Sequence, residues 1–264
     1  MAREISSISR VGKTEPFELQ VSRGQVAYHT PLFKFGSNAD IDSANETIWD
    51  QGGIYSYPAS AAKVYVSSSN ANDTAAGTGA RTVVVMGLDG DYNEISETVS
   101  LNGQTQVETD ALFLRVFRAY VDTAGSGGTA AGDIYVATTG ESSGVPTGTV
   151  YAKIRVGENQ TLMAVYTVPA GKTLYVTKGS ISSGTETSNK FIIGRFVARF
   201  FGGVFRTQAK VTLADGFVDF DWEYPLRIPE KTDLEARAQG SGNDSHQVAA
   251  SFEGVLVLNG SELE

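Results

Sequence analysis

The feature that most constrains this chain is a two-residue alternation of apolar and polar side chains, returning in short stretches with glycine-rich segments between them. KVYVSS sets Val64 and Val66 on one face, RTVVVMG sets Val83 and Val85, and ETVSL sets Val99 and Leu101. A period of two is the spacing of side chains on one face of a β-strand, and no amphipathic helix produces it. Composition agrees: 29 glycines, 24 serines and 24 threonines, against 19% charged residues, leave few strong helix formers. Helical bundles, coiled coils and nucleotide-binding α/β folds are thereby disfavoured. The 41% apolar and 10% aromatic residues are enough to bury a core and rule against disorder.

Residues 1–15 are polar and unpatterned, an arm that orders only if something holds it. FELQVSRG then alternates Phe17, Leu19 and Val21 with polar neighbours and predicts a strand. In ALFLRVFRAYV, Leu112, Leu114 and Val116 fall on one side and Phe113, Arg115, Phe117 and Ala119 on the other, so both faces are expected to be covered. The glycine-rich stretches at 67–80, 122–133 and 138–148 read as loops, because strands resume directly after each. From residue 158 onward, TLMAVYTV and TLYVTKGSI flank PAGK, which predicts a hairpin through Pro169 and Gly171. FIIGRFVARFF, VFRTQAKVTL, GFVDFDWEYPL, DLEARAQ and HQVAASFEGVLVL continue the pattern. The expectation is an all-β protein of two antiparallel β-sandwich or jelly-roll-like domains, 16–157 and 158–264, behind an arm of residues 1–15.

A net charge of −9 opposes a nucleic-acid partner. Zero cysteines exclude disulfide scaffolds, thiolate nucleophiles and cysteine-ligated zinc. MAREISSISR has no apolar signal core, and no apolar run approaches the roughly 18 residues of a membrane helix. A soluble chain, not classically secreted and not bound to a membrane, is expected.

Charge is segregated in the second half. Between Glu186 and Asp215 lie five bases, Lys190, Arg195, Arg199, Arg206 and Lys210, and no acid. From Asp215 to Glu235 seven acids face two bases, Arg227 and Lys231. Alternation puts Asp219, Asp221 and Glu223 on one strand face, opposite Val218, Phe220, Trp222 and Tyr224, and it puts Arg195 and Arg199 on a common face. These polar faces are candidates to pair, across neighbouring strands or between identical subunits. Two separately solvated faces are the alternative.

Searches for chemistry return little. His29 and His246 have no metal-ligand neighbours in sequence, and a lone histidine at a strand start reads as hydrogen-bonded or solvated. Gly140-Glu141-Ser142-Ser143-Gly144 satisfies G-x-S-x-G, but Val-Pro-Thr-Gly follows and cannot open the helix a nucleophile elbow needs. Asp89, Asp91 and Asn93 imitate the start of a calcium loop, yet Glu94 and Ser100 stand where glycine and glutamate are required, so Asp89-Gly90 reads as a hairpin turn. A carboxylate pair in DFDWE for sugar cleavage is weak, because Trp222 points away from the acids. No nucleotide motif is present, and no catalytic residue, metal or cofactor is expected.

FELQVSRGQVAYHTPLFKFG, ETIWDQGGIYSYP, VSSSNANDTAAGTGARTVVVMGLDGDYNEISETVSLNGQT, FLRVFRAYV, YTVPAGKTLYV and YPLRIPEKTDLEARAQG resemble a family of virion structural proteins of tailed bacteriophages, especially phages of aquatic bacteria. The resemblance runs from about Phe17 to Leu258 and contains no catalytic motif. It implies a non-enzymatic virion component made in the host cytoplasm. One role it implies is capsid decoration, as a homo-oligomer (a trimer for preference) that cements the head by binding the major capsid protein. A tail, baseplate or fibre component among neighbouring tail proteins is the other, and a glycan-binding adhesin is a third.

Overall fold

Alternating sequences become antiparallel strands throughout the computed structural model, which describes residues 9–10, 13–184, 190–214, 216–242 and 245–261. In chain order the elements are β1 (Ser9–Arg10), β2 (Lys13–Thr14), α1 (Phe17–Ser22), β3 (His29–Ile41), β4 (Glu46–Thr47), β5 (Tyr65–Ser68), β6 (Ala80–Leu88), β7 (Glu94–Ser100), β8 (Val107–Glu108), β9 (Arg115–Ala124) and β10 (Ile134–Ala137). They continue with β11 (Glu141–Ser142), β12 (Val145–Pro146), β13 (Val150–Ile154), β14 (Val165–Thr167), β15 (Lys172–Gly184), β16 (Ile192–Arg199), β17 (Phe205–Leu213), β18 (Gly216–Ile228), β19 (Asp233–Gly240) and β20 (His246–Leu258).

Two sandwiches result. In the larger, a sheet ordered β18-β15-β20-β3 packs on a sheet ordered β14-β19-β16-β17, with β4 added to β19. Leu174, Val176, Phe252 and Leu256 meet Ile192, Leu234 and Ala238 between these sheets. In the smaller, β7-β6-β9 faces β13-β10-β5-β8, and Val83, Val85, Val116 and Ala119 pack against Val66, Ile134, Val136 and Ala152. The all-β sandwich class read from the alternation is the class observed.

Strand pairing cuts across a division at residue 157. β3 is paired with β20 along its whole length, and β4 joins β19 through Thr47 and Arg237. The chain thus begins in the larger sandwich, leaves it to build β5–β13, and returns at β14. Residues 29–47, grouped by the sequence with the first domain, are hydrogen-bonded to the second. Alternation shows which face of a strand is buried, but not which strand lies beside it.

Two local expectations are corrected. FELQVS is not a strand but the six-residue helix α1, with Pro16 at its N-cap and Gly24 turning the chain at φ 65° beyond its end. Proline suits a helix start and glycine its exit. The alternating pattern there is accidental, since Phe17 and Leu19 are exposed while Gln20 and Val21 are buried. At PAGK the turn exists, with Gly171 at φ 72° and the Lys172 amide donating to the Pro169 carbonyl at 3.4 Å. It is not a hairpin: β14 pairs with β19 and β15 pairs with β18 and β20, so the turn carries the chain from one sheet to the other. In ALFLRVFRAYV both faces are covered, as expected, from Phe113 to Phe117.

The glycine-rich stretches are built loops. Asp73, fully buried, gathers four donors: the Ser68 hydroxyl at 2.6 Å, the amides of Ala80 and Ala131 at 2.7 and 2.8 Å, and that of Gly132 at 3.0 Å. One carboxylate therefore ties the 67–80 loop to the 122–133 loop. Gly79 is required there, because a Cβ would lie 2.1 Å from Asp73 Oδ1.

Candidate functional site

The densest group of ionisable side chains lies at the seam between the sandwiches. Alternation along β19 sends Leu234, Ala236 and Ala238 into the core of the larger sandwich, leaving Asp233, Glu235 and Arg237 on the opposite face. That face is covered as well, so the two acids are buried and need partners.

Asp233 receives Arg115 of β9 in a bidentate pair, Nε to Oδ1 at 2.8 Å and Nη2 to Oδ2 at 3.2 Å. Arg115 Nη1 donates to the carbonyls of Pro58 and Leu114, both at 2.9 Å. Arg199 of β16, the register neighbour of Asp233, adds Nε to Oδ2 at 3.0 Å, and Thr167 donates its hydroxyl to Oδ1 at 2.7 Å. Burial alone would lower the pKa of Arg115, but the hydrogen bonds and charge of Asp233 hold it above the ordinary arginine value.

Aromatic rings complete the seam. Tyr57 lies between two guanidinium groups, 4.5 Å from Arg199 and 5.2 Å from Arg115. Arg237 sits 4.4 Å over Phe205 and donates to Glu235, which also accepts from the hydroxyls of Thr47 and Tyr57. Burial, then the negative charges of Glu235 and Asp233, push the Tyr57 phenol well above its usual range. Both Asp233 oxygens are engaged by arginine, and Oδ1 also accepts from the Thr167 hydroxyl. The arrangement joins the small sandwich (Arg115) to the large one (Asp233, Arg199) through charge-assisted hydrogen bonds.

The sequence-selected charged residues are not brought together within the chain. Arg199 is consumed by Asp233, and Arg195 donates to Asn45 Oδ1 at 3.1 Å and Gln239 Oε1 at 3.0 Å. Asp219, Asp221 and Glu223 lie exposed on the outer face of β18, in the other sheet. Trp222 is turned inward, stacked on Phe220 with ring centroids 5.8 Å apart. Asp215 lies outside the described residues.

The seam itself was missed. Arg115 and Asp233 are 118 positions apart, and no local motif joins them. A signal was nevertheless present: an arginine inside a strand with both faces covered must find an acid, and DLEARAQ supplies an acid-acid-base face.

The other motifs resolve into local structure. Ser143 at φ 52° and Gly144 at φ 80° form the two-residue turn of the β11–β12 hairpin, with no helix following. Asp89 accepts from the amides of Asp91 and Asn93, both at 2.9 Å, and closes the β6–β7 turn. His29 Nδ1 contacts the Ala27 carbonyl at 2.7 Å. His246 departs from expectation: it is buried, and neither ring nitrogen has a partner among the described residues. No cluster of three or more His, Asp or Glu placed to hold a metal ion occurs among the described residues.

No protein family profile and no curated protein matches the chain. Solved structures aligned with it include that of infectious bursal disease virus Gx strain, at 12% identity and TM-score 0.28, covering 88% of this chain and 72% of that one. The exported protein XepA of PBSX aligns at 12% identity and TM-score 0.19, covering 86% and 84%, and the STIV MCP at 11% and 0.20, covering 86% and 97%. TM-scores of this size do not define a shared fold.

Proposed function

We propose that this chain is a non-enzymatic structural protein of a tailed-bacteriophage virion, and specifically a capsid decoration protein that self-associates and stabilises the head by binding the major capsid protein. The observation that supports the non-enzymatic part is the seam, where Asp233 is held by Arg115 of the small sandwich and Arg199 of the large one, and Glu235 by Arg237. Such a network suits a stiff building block. The virion assignment rests on the resemblance from Phe17 to Leu258. Self-association is supported by β17 and β18, long strands that end their sheets unpaired on one side.

Quantitative mass spectrometry of purified virions tests this reading. Decoration requires a copy number comparable with that of the major capsid protein. A dozen copies or fewer would move the protein to the tail, and absence from the particle would refute the virion role.

A further inference from the structure

A cleft of about 380 Å³ lies where the larger sandwich meets the smaller. β3, β14 and β20 wall one side with Lys34, Tyr166 and Leu256, and β6, β7 and β9 wall the other with Met86, Glu94 and Arg118. Its volume falls at the lower end of the roughly 300–1,000 Å³ of small-molecule sites. No residue of the Arg115–Asp233 network lines it.

The cleft carries positive charge that the chain does not neutralise. Alternation along β3 puts Lys34 on the covered face, 3% exposed between exposed Phe33 and half-buried Phe35. Its ammonium donates to the carbonyl of Phe117, the extra residue of a β9 bulge, since Arg118 is in register with Met86 and Val116 with Gly87. An ammonium has three donors, so two are left. Arg118 donates Nη2 to the Phe33 carbonyl at 3.4 Å and lies 5.8 Å over the Phe35 ring. Neither base forms an ion pair among the described residues. Glu94, the acid in the cleft wall, is taken by Lys172. Burial, then the charge of Arg118, lowers the pKa of Lys34, as two bases held together without a counter-charge must.

The remaining wall is largely apolar. Phe117 and Tyr166 pack with ring centroids 5.0 Å apart, and Met86 and Leu256 extend their surface. Tyr166 is 2% exposed, and its hydroxyl has no hydrogen-bond partner among the described residues.

We infer that this cleft binds a carboxylate carried on an apolar chain, a ligand of the fatty-acid class, with the carboxylate held by Lys34 and Arg118 and the chain laid against Phe117, Tyr166 and Leu256. The carboxylate supplies the counter-charge that the folded chain lacks, in charge-assisted hydrogen bonds. A small hydrated anion would leave the apolar wall uncovered, and a neutral chain would leave both bases unpaired. Because the walls come from both sandwiches, an occupant joins them at a second place besides Arg115 and Asp233.

Equilibrium dialysis of the full-length protein against radiolabelled dodecanoate tests this site, with dodecan-1-ol and acetate as comparisons and Lys34→Met and Arg118→Gln as variants. One saturable dodecanoate site per chain is expected, with dodecan-1-ol and acetate each bound about tenfold or more weakly. Each variant is expected to lose about tenfold or more in dodecanoate affinity while binding dodecan-1-ol as the wild type does. Arg118 is only half-buried, so Arg118→Gln keeps the fold even if the buried Lys34 change does not, and circular dichroism verifies this. No saturable binding by the wild type, dodecan-1-ol or acetate bound as tightly as dodecanoate, or undiminished affinity in Arg118→Gln overturns the site. Those outcomes leave the virion role standing, and absence from virions leaves the site standing.

Discussion

Arg115 and Asp233, 118 positions apart in the chain, form a bidentate ion pair with side chains only 6% and 4% exposed. One belongs to each sandwich, so this contact fixes the small sandwich on the large one. Asp233→Ala leaves Arg115 charged and buried without its carboxylate, held only by the carbonyls of Pro58 and Leu114, and the expected cost is about 3–5 kcal/mol. Arg199→Ala, at a side chain 29% exposed, is expected to cost less. Chemical denaturation of the two variants checks the order, and an Asp233→Ala protein as stable as wild type would show that the seam is not a clamp.

Asp73 holds two glycine-rich loops with four hydrogen bonds. Asp73→Ala strands buried donors and is expected to destabilise the fold by about 3 kcal/mol. It should also speed amide hydrogen exchange at Ala80, Ala131 and Gly132 relative to the rest of the chain. Unchanged exchange at these amides would contradict the role given to this carboxylate.

The strands were largely legible because burial on a sheet repeats every two residues, as in Val83 and Val85 or Leu174 and Val176. Pairing partners were not legible. PAGK encodes a turn through Pro169 and Gly171, but whether the next strand pairs or changes sheet depends on contacts far away in sequence. The same gap hid the seam, since Arg115 and Asp233 each look ordinary until two sandwiches meet. Asp219, Asp221 and Glu223 are exposed as alternation within one strand implies, but Tyr224, placed by the same alternation on the opposite face with Val218, Phe220 and Trp222, is 83% exposed, because β18 slips out of register with β15 between Asp221 and Leu226.

Lys34 is buried with its ammonium near the Phe117 carbonyl and ring and forms no ion pair among the described residues. Burial, then the charge of Arg118, lowers its pKa well below the usual 10.5. The unfolded chain therefore binds this proton more tightly than the native one. Stability should rise with pH from the lowered native pKa up to about 10.4. Lys34→Met should flatten that rise in urea melts across this range, and an unchanged slope would assign it to other groups.

Asp50 shows the opposite sign. Burial raises its carboxyl from 3.8 to about 6, against the opposing hydrogen bond from the Leu162 amide, and Oδ1 has no hydrogen-bond partner among the described residues. The native state holds the proton more tightly than the unfolded chain, so this contribution is complete below about pH 4 and is lost as pH rises through about 6. Asp50→Asn should be more stable than wild type at neutral pH and should flatten the fall between these values. A variant less stable at neutral pH would contradict this account.

The central claim is a place on the particle, and an electron-microscope reconstruction of the virion tests it most directly. The account predicts two-sandwich density on the outer surface of the head, in contact with the major capsid protein. Density for this chain confined to the tail, or no density anywhere on the virion, would contradict it.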